Sequence, residues 1–255
     1  MSLRNELFRF FGRDRIASRK PGERIVAGMA TLEARKETFS LALPTVVGQV
    51  DRLYLYLDGY REVPEFVRGE PRITAVLSHD LPNLHANGKL LGLALEPGDF
   101  LYVSVDDDFC YSPRFVDHLR TGLSRYDDRA VVGYHGVMLR RPLTGYNRDK
   151  TTIPYTSRPL EDRTVDAIGT GAAMFRSRYL RFDVRTWPYT NMVDLGLAVE
   201  AARVKLPMIS LARRKRYLRP IANEQPDSIA VRLRRDDSRQ TALARELLRL
   251  KSTPG

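Results

Sequence analysis

The chain has one cysteine, one tryptophan and four histidines in 255 residues. A lone Cys110 rules out an internal disulfide and fits a reducing compartment better than a secreted, stapled domain. Next to acidic neighbours its thiol pKa should rise, so a small core residue is expected rather than a nucleophile. His79, His85, His118 and His135 lack zinc-like spacing, and a structural zinc site is not expected. His135 follows a strand-like run and could reach a cleft, but a structural role is its expected one. Long apolar runs are missing as well: none approaches the roughly 18 residues a spanning helix needs, and the arginine-bearing N-terminus lacks a signal-peptide core. Internal repeats and low-complexity tracts are also absent. These features point to a cytoplasmic protein.

What is present is ordinary globular composition, 43% hydrophobic and 29% charged, with a formal charge of +11. That charge favours polyanionic partners: nucleic acid, anionic lipid or phosphate-bearing substrates. Much of the excess lies in "RFFGRDRIASRK" (9–20), "ARRKRYLR" (212–219) and "RLRR" (232–235), which argues against one continuous basic groove. The first twenty residues place Leu3, Leu7, Phe10 and Phe11 on one helical face among arginines. Such a face suits either peripheral contact with the inner face of a membrane or docking on the domain.

Between residues 22 and 135, short β-rich runs alternate with helical spacing. "RIVAGM", "RLYLYLD", "RITAVL", "FLYVSVD" and "AVVGYHG" read as strands. Helices are expected through Phe39, Leu43, Val46, Val47 and Val50, kinked or begun at Pro44; over "ANGKLLGLALE"; and over "SPRFVDHLRTGLSRY", capped by Ser112 with Pro113 in its first turn. Residues 140–163 read as a long loop or lid. A β-like segment (165–175), a helix near Asp194, a strand "PMISL" and a charged helix from about Ser228 to Leu250 follow. The pattern is that of an α/β protein with a mostly parallel central sheet flanked by helices.

In such sheets ligands collect beyond the carboxyl ends of the strands, and there "LYVSVDDDFCYSPRF" (101–115) sets three acids side by side. Adjacent carboxylates repel, so Asp106, Asp107 and Asp108 call for a cation or several N–H groups among them. The plain alternative is a solvated Asp-rich turn. A hard divalent cation is the better match, because it takes one or two carboxylates and completes its shell with phosphate and water.

"VSVDDDFCYSPRFVDHL" resembles the DXD region of GT-A-fold glycosyltransferases, particularly bacterial family-two-like members. "GMATLEARKETFSLALPTVVGQVDRLYLYLDGY" (28–60), "HDLPNLHANGKLLGL" (79–93) and "TNMVDLGLAVEAARVKLPMISLARR" (190–214) resemble further blocks of that family, in order. The resemblance implies a Rossmann-like GT-A sandwich over 23–222, with a basic amphipathic segment (1–22) before it and a charged helical tail (223–255) after it. It implies a transferase moving a sugar from a nucleotide-sugar donor, a UDP-sugar first, to a glycan, polysaccharide or lipid-linked hydroxyl acceptor. Mn2+ or Mg2+ is the implied cofactor, and no nucleic acid is an implied partner.

Carried to matching positions, the resemblance makes Asp108 the more direct metal ligand, with Asp106 facing the ribose or the metal. Asp107, turned elsewhere by strand alternation, stays with the nucleotide-sugar-binding group. Thr31, Arg35 and Asp58 would frame the nucleotide and Lys89 would offset phosphate charge. Taken alone, Thr31 could be a helix cap, Asp58 a turn residue, and Arg35 or Lys89 a solvated helix residue, the plain reading being preferred for Arg35. Asp194 would be the base of an inverting transfer, with an N-cap as its structural alternative. Met192 and Val193 precede it where the family commonly has a Glu. "GTGAAM", with Gly169 and Gly171, resembles the acceptor-side segment, or else a strand bulge.

Two rival readings fit less well. An Asp-x-Asp phosphatase or phosphotransferase should carry its motif after an early strand with a hydroxyl residue shortly following, whereas Phe109 and Cys110 follow here. A nucleic-acid-binding module would leave the triplet unexplained and lacks aromatic interleaving in its basic runs.

Overall fold

The run IVAGMATL forms the strand β1 (Ile25–Leu32), and its alternate side chains feed two separate cores. The computed structural model describes residues 19–81, 84–221 and 236–252; the amphipathic face at 3–11, "RLRR" and the Ser228 helix start lie outside them. After β1 come helix α1 (Lys36–Val47), β2 (Arg52–Asp58) and β3 (Ile73–Leu77). Next are β4 (Leu101–Val105), β5 (Phe109–Tyr111), α2 (Phe115–Ser124), β6 (Val131–Gly133) and β7 (Gly136–Leu139). β8 (Lys150–Ile153), β9 (Arg163–Val165), β10 (Ala167–Ile168) and β11 (Ala172–Arg176) follow. The order ends with α3 (Val193–Arg203), β12 (Met208–Ser210), β13 (Leu218–Pro220) and α4 (Ser238–Ser252).

Eight strands form the central sheet in the order β3-β2-β1-β4-β11-β6-β12-β9. β3, β2, β1 and β4 are mutually parallel, as are β6 and β12, while β11 runs against both its neighbours and β9 against β12. Period-two alternation divides the side chains. Ile25, Ala27, Leu53, Leu55, Leu101 and Val103 join Phe39, Leu43, Phe115 and Leu119 of α1 and α2 in one core. Val26, Tyr54, Tyr56 and Tyr102 join Leu195, Val199, Leu243 and Leu247 of α3 and α4 in the other. With about 1.5–3 kcal/mol per buried large apolar side chain, both faces of the sheet must stay covered.

Three local expectations are corrected by packing. Residues 86–96 do not form a continuous helix: His85–Leu90 is 3-10 and only Gly92–Leu95 makes an α turn. Gly88 lies against the Tyr56 ring and Gly28 against the Lys89 carbonyl, which also accepts from Tyr102 Oη at 2.6 Å. That close approach to β1, possible only without a Cβ at Gly28, sets the segment's path and aims Lys89. Helix α2 has Arg114 at its N-cap position, and Ser112 acts one turn earlier, its Oγ accepting from Arg114 N at 3.3 Å and its carbonyl from Phe115 N at 2.9 Å. Its first turn is also satisfied from a distance, since Gln49 Oε1 accepts from Val116 N at 3.1 Å while Gln49 Nε2 donates to Ser112 O at 2.9 Å. Pro44 does not start α1 but lies within its last turn.

The stretch 140–163 is not a plain loop either. It contains β8, which pairs antiparallel with β7, after a turn in which Leu143 and Tyr146 are buried. Asp149 closes the turn by accepting from Thr144 N and Gly145 N at 2.6 and 2.9 Å. From outside, Asp237, just before α4, accepts from Asn147 N, and Thr241 Oγ1 of α4 accepts from Tyr146 N.

At the foot of β4, Asp99 accepts from Arg176 Nε at 2.9 Å and Arg178 Nε at 2.7 Å, tying β4 to the end of β11. Burial alone would raise this carboxyl, but the two arginines hold it down at about 2. A depressed carboxylate stabilises the fold above its unfolded pKa, near 4, and loses that contribution as pH falls through about 2. Asp99→Asn should therefore cost about 1 kcal/mol at neutral pH after solvent screening. The gap between variant and parent should close between about pH 4 and pH 2 in denaturant titrations.

Candidate active site

The acid triplet forms the turn from β4 into β5. β5 is held in turn by antiparallel pairing with β13, and Ile221 N donates to Asp108 O at 2.8 Å. One turn thus presents three carboxylates to three different environments.

Asp106 accepts from the Lys89 ammonium, whose side chain is only 8% exposed. Burial opposes the charge on Lys89, yet Asp106 and, further off, Asp194 keep its pKa above the ordinary lysine value. Asp107 is 2% exposed and its Oδ1 accepts from Arg35 at 3.1 Å, with the Thr31 hydroxyl beside it. Burial pushes Asp107 upward against the pull of Arg35. Asp108 differs in lying farther from Arg35, whose guanidinium is 3.9 Å from its Oδ2; among the described residues its buried Oδ1 has no hydrogen-bond partner, as is also true of Asp107 Oδ2. Burial, Asp106 and Asp107 together push its carboxyl up to about 7. Arg35 is therefore not a solvated helix residue, because the Glu33–Arg35 turn after β1 aims it at two members of the triplet.

Across from the triplet, Asp194 sits in the first turn of α3, one residue beyond the start. It is not an N-cap, since Met192 holds that position. Its Oδ1 instead accepts from Thr170 N at 2.8 Å and Thr170 Oγ1 at 2.7 Å, in the loop between β10 and β11. His135, Lys89 and Tyr146 all feel its charge. Lys89 thus lies within electrostatic reach of both halves.

Gly171 explains how those halves come so near: a Cβ there would strike Asp106 Oδ2. Gly171→Ala should displace a carboxylate already held by Lys89 and lower stability by about 1–3 kcal/mol, the usual cost of forcing extra volume into a packed site, as denaturant titration of variant and parent would read. Gly169 serves differently, its N–H donating to His135 O at 2.8 Å and its bare Cα facing the His135 side chain. Asp58, 8% exposed, ends β2 opposite Leu32 and lies 3.2 Å from His85 Nδ1. Cys110 is half-buried in β5, and burial raises its thiol.

Around the site, Tyr111 and Arg213 went unread in the sequence, and His135 was read only as a residue that could reach a cleft. Tyr111 is buried, with its phenol pushed well above the ordinary value by burial and by Asp106. His135 Nδ1 is buried without a partner among the described residues, and burial lowers its pKa. Arg213, 2% exposed, donates to Pro154 O at 2.7 Å and Leu211 O at 3.1 Å and lies 5.1 Å from the Tyr134 ring centre; burial lowers it to about 10. Tyr111 has no sequence signature because it is brought in by pairing with Leu218, far along the chain.

Among the described residues, no group of three or more His, Cys, Asp or Glu side chains is placed to hold a metal ion alone. A cation needing a full protein cage is therefore a poor match. The orphaned Asp108 oxygen and the neighbouring Asp106 carboxylate do suit a hard ion that takes few protein ligands and fills its shell with phosphate and water.

No protein-family model and no curated protein matches the chain. Solved structures do. A mycobacterial protein aligns at 21% identity and a TM-score of 0.50, covering 92% of this chain and 77% of its own. Glucosyl-3-phosphoglycerate synthase of M. tuberculosis aligns at 20% identity and TM-score 0.50, covering 98% and 85%. The same enzyme in complex with Mn2+, UDP-glucose and phosphoglyceric acid aligns at 18% identity and TM-score 0.50, covering 98% and 84%. At such identity the likeness speaks for the fold, and together with the sheet order it shows that this chain has the α/β GT-A-type architecture: a mostly parallel central sheet flanked by helices.

Proposed function

We propose that the protein is a metal-dependent glycosyltransferase that moves a sugar from a nucleotide-sugar donor, a UDP-sugar first, to a hydroxyl acceptor with inversion. The carrying observation is the pair of facing sites: a strand-end triplet in which two buried carboxylate oxygens, Asp107 Oδ2 and Asp108 Oδ1, have no hydrogen-bond partner among the described residues, and a carboxylate across from it on α3. A structural neighbour crystallised with Mn2+ and UDP-glucose supports the same donor chemistry.

Asp108 and Asp106 would hold Mn2+ or Mg2+. When bound, the ion supplies Lewis-acid neutralisation of the charge developing on the diphosphate. Lys89 adds a buried positive charge beside Asp106, and Arg35 fixes Asp107 and faces Asp108, so the triplet keeps one orientation. Thr31 and Asp58, at the tips of adjacent strands, frame the nucleotide. Asp194 takes the proton of the acceptor hydroxyl as its oxygen bonds to the anomeric carbon; the bond from that carbon to the diphosphate oxygen breaks, and its electron pair leaves with the diphosphate. Thr170 holds Asp194 through one oxygen, so the carboxylate keeps its aim.

Thermal unfolding with UDP, GDP and ADP, each with and without Mn2+, tests the proposal. A ligand at a hundredfold its Kd stabilises by about 2.7 kcal/mol, a shift of several degrees. A UDP shift that requires Mn2+ is the expected result. A shift with DNA that ignores the metal, or none with any nucleotide, would overturn it.

A further inference from the structure

We infer that the Tyr111 hydroxyl is a positioning group that ties the donor half of the site to the acceptor half. The inference rests on the glycosyltransferase reading and adds a residue to it. Tyr111 Oη accepts from Asp106 N at 2.7 Å and lies 2.9 Å from Gly171 O, with Asp106 O at 3.2 Å. A phenol has one proton, so donation to the nearer Gly171 carbonyl while accepting from Asp106 uses both of its roles at once. The side chain is 3% exposed and its ring packs on Phe115 at 4.5 Å between centroids, so the oxygen has no freedom to leave.

The consequence lies in what the two bonded residues adjoin. Asp106 carries the carboxylate held by Lys89, and Gly171 both leaves room for that carboxylate and follows Thr170, which grips Asp194. The chain Asp106, Tyr111 Oη, Gly171, Thr170, Asp194 therefore spans the site in single steps. Sheet pairing alone does not secure this point: β11 pairs with β4 from Ala172↔Val105 downward, and Gly171 and Asp106 lie just past the last pair. The phenol supplies the cross-strand bond where the ladder has stopped.

Tyr111→Phe in the full chain tests this, because the ring packing survives and only the oxygen is lost. Amide hydrogen exchange at Asp106 and Thr170 should accelerate at least tenfold while Leu53–Leu57 in β2 stay protected. Turnover with UDP-glucose should fall about 30-fold with little change in donor KM. In an Asp194→Asn background the same change should cost less than threefold, since the positioned group is gone. Acceleration at Asp106 without Thr170, or equal losses in both backgrounds, would overturn the inference. Should the variant not fold, wild-type protein decides: Mn2+ with UDP should slow exchange at Asp106 and Thr170 together, and slowing at Asp106 alone refutes the link. If wild-type protein ignores Mn2+ and UDP altogether, the functional proposal fails; the exchange result in Tyr111→Phe then still judges the clasp.

Discussion

Asp194→Asn should leave the protein folded and able to bind UDP with Mn2+, while lowering transfer about a thousandfold, within the usual span for a positioned general base. The amide oxygen of asparagine can still accept from Thr170 N and Oγ1, so the geometry at the start of α3 survives. What disappears is the negative charge and the ability to take a proton. Single-turnover rates alongside calorimetric affinity for UDP and Mn2+ separate these effects. Nearly full turnover in the variant would remove Asp194 from the chemistry. A large loss of stability would instead identify Asp194 as a fastener for the 169–171 loop.

The second large effect is at Asp108, where stability and function should move in opposite directions. Its buried Oδ1 has no partner among the described residues, and two further carboxylates crowd it. In the metal-free protein Asp108→Asn removes a poorly compensated charge of the same shape, and should stabilise the fold by on the order of 1 kcal/mol at neutral pH. The same variant should lose Mn2+-dependent protection by UDP, because a hard cation prefers the carboxylate. Thermal melts of both proteins with and without UDP and Mn2+ give both readings at once. An Asp-rich turn of purely structural purpose would show neither the rise nor the loss. Asp107→Asn makes a useful contrast, since it removes the carboxylate that Arg35 meets at 3.1 Å and leaves that guanidinium only the more distant Asp108, so any gain in stability should be smaller than at Asp108.

Much of this molecule was legible in its residues. The strands "RLYLYLD" and "FLYVSVD" were readable because burial on both faces leaves near-continuous apolar runs. The triplet stood out because three adjacent acids are costly without a purpose. Asp194 could be singled out by type and place, but its partner could not, since Thr170 is 24 residues away and meets it only when β11 folds back beside β4. Arg35 illustrates the opposite limit. On a helix wheel it is an ordinary surface arginine, and only the 3-10 turn after β1 brings it to Asp107, 72 residues on. The helix expected over 86–96 failed for a related reason: two glycines that lower helix propensity also admit tyrosine rings from β2, and packing chose the tighter 3-10 path.

By itself, the order of residues determined the α/β alternation, the strand end that would carry charge, and the absence of disulfide or spanning-helix solutions, because these follow from periodicity and composition along the chain. Only the tertiary structure decided which carboxylate is paired, which is left with an unmet oxygen, and which phenol bridges the halves. Those outcomes depend on contacts between segments far apart along the chain, as between Asn87 and Tyr189, 102 residues apart, and such contacts exist only once both faces of the sheet are covered.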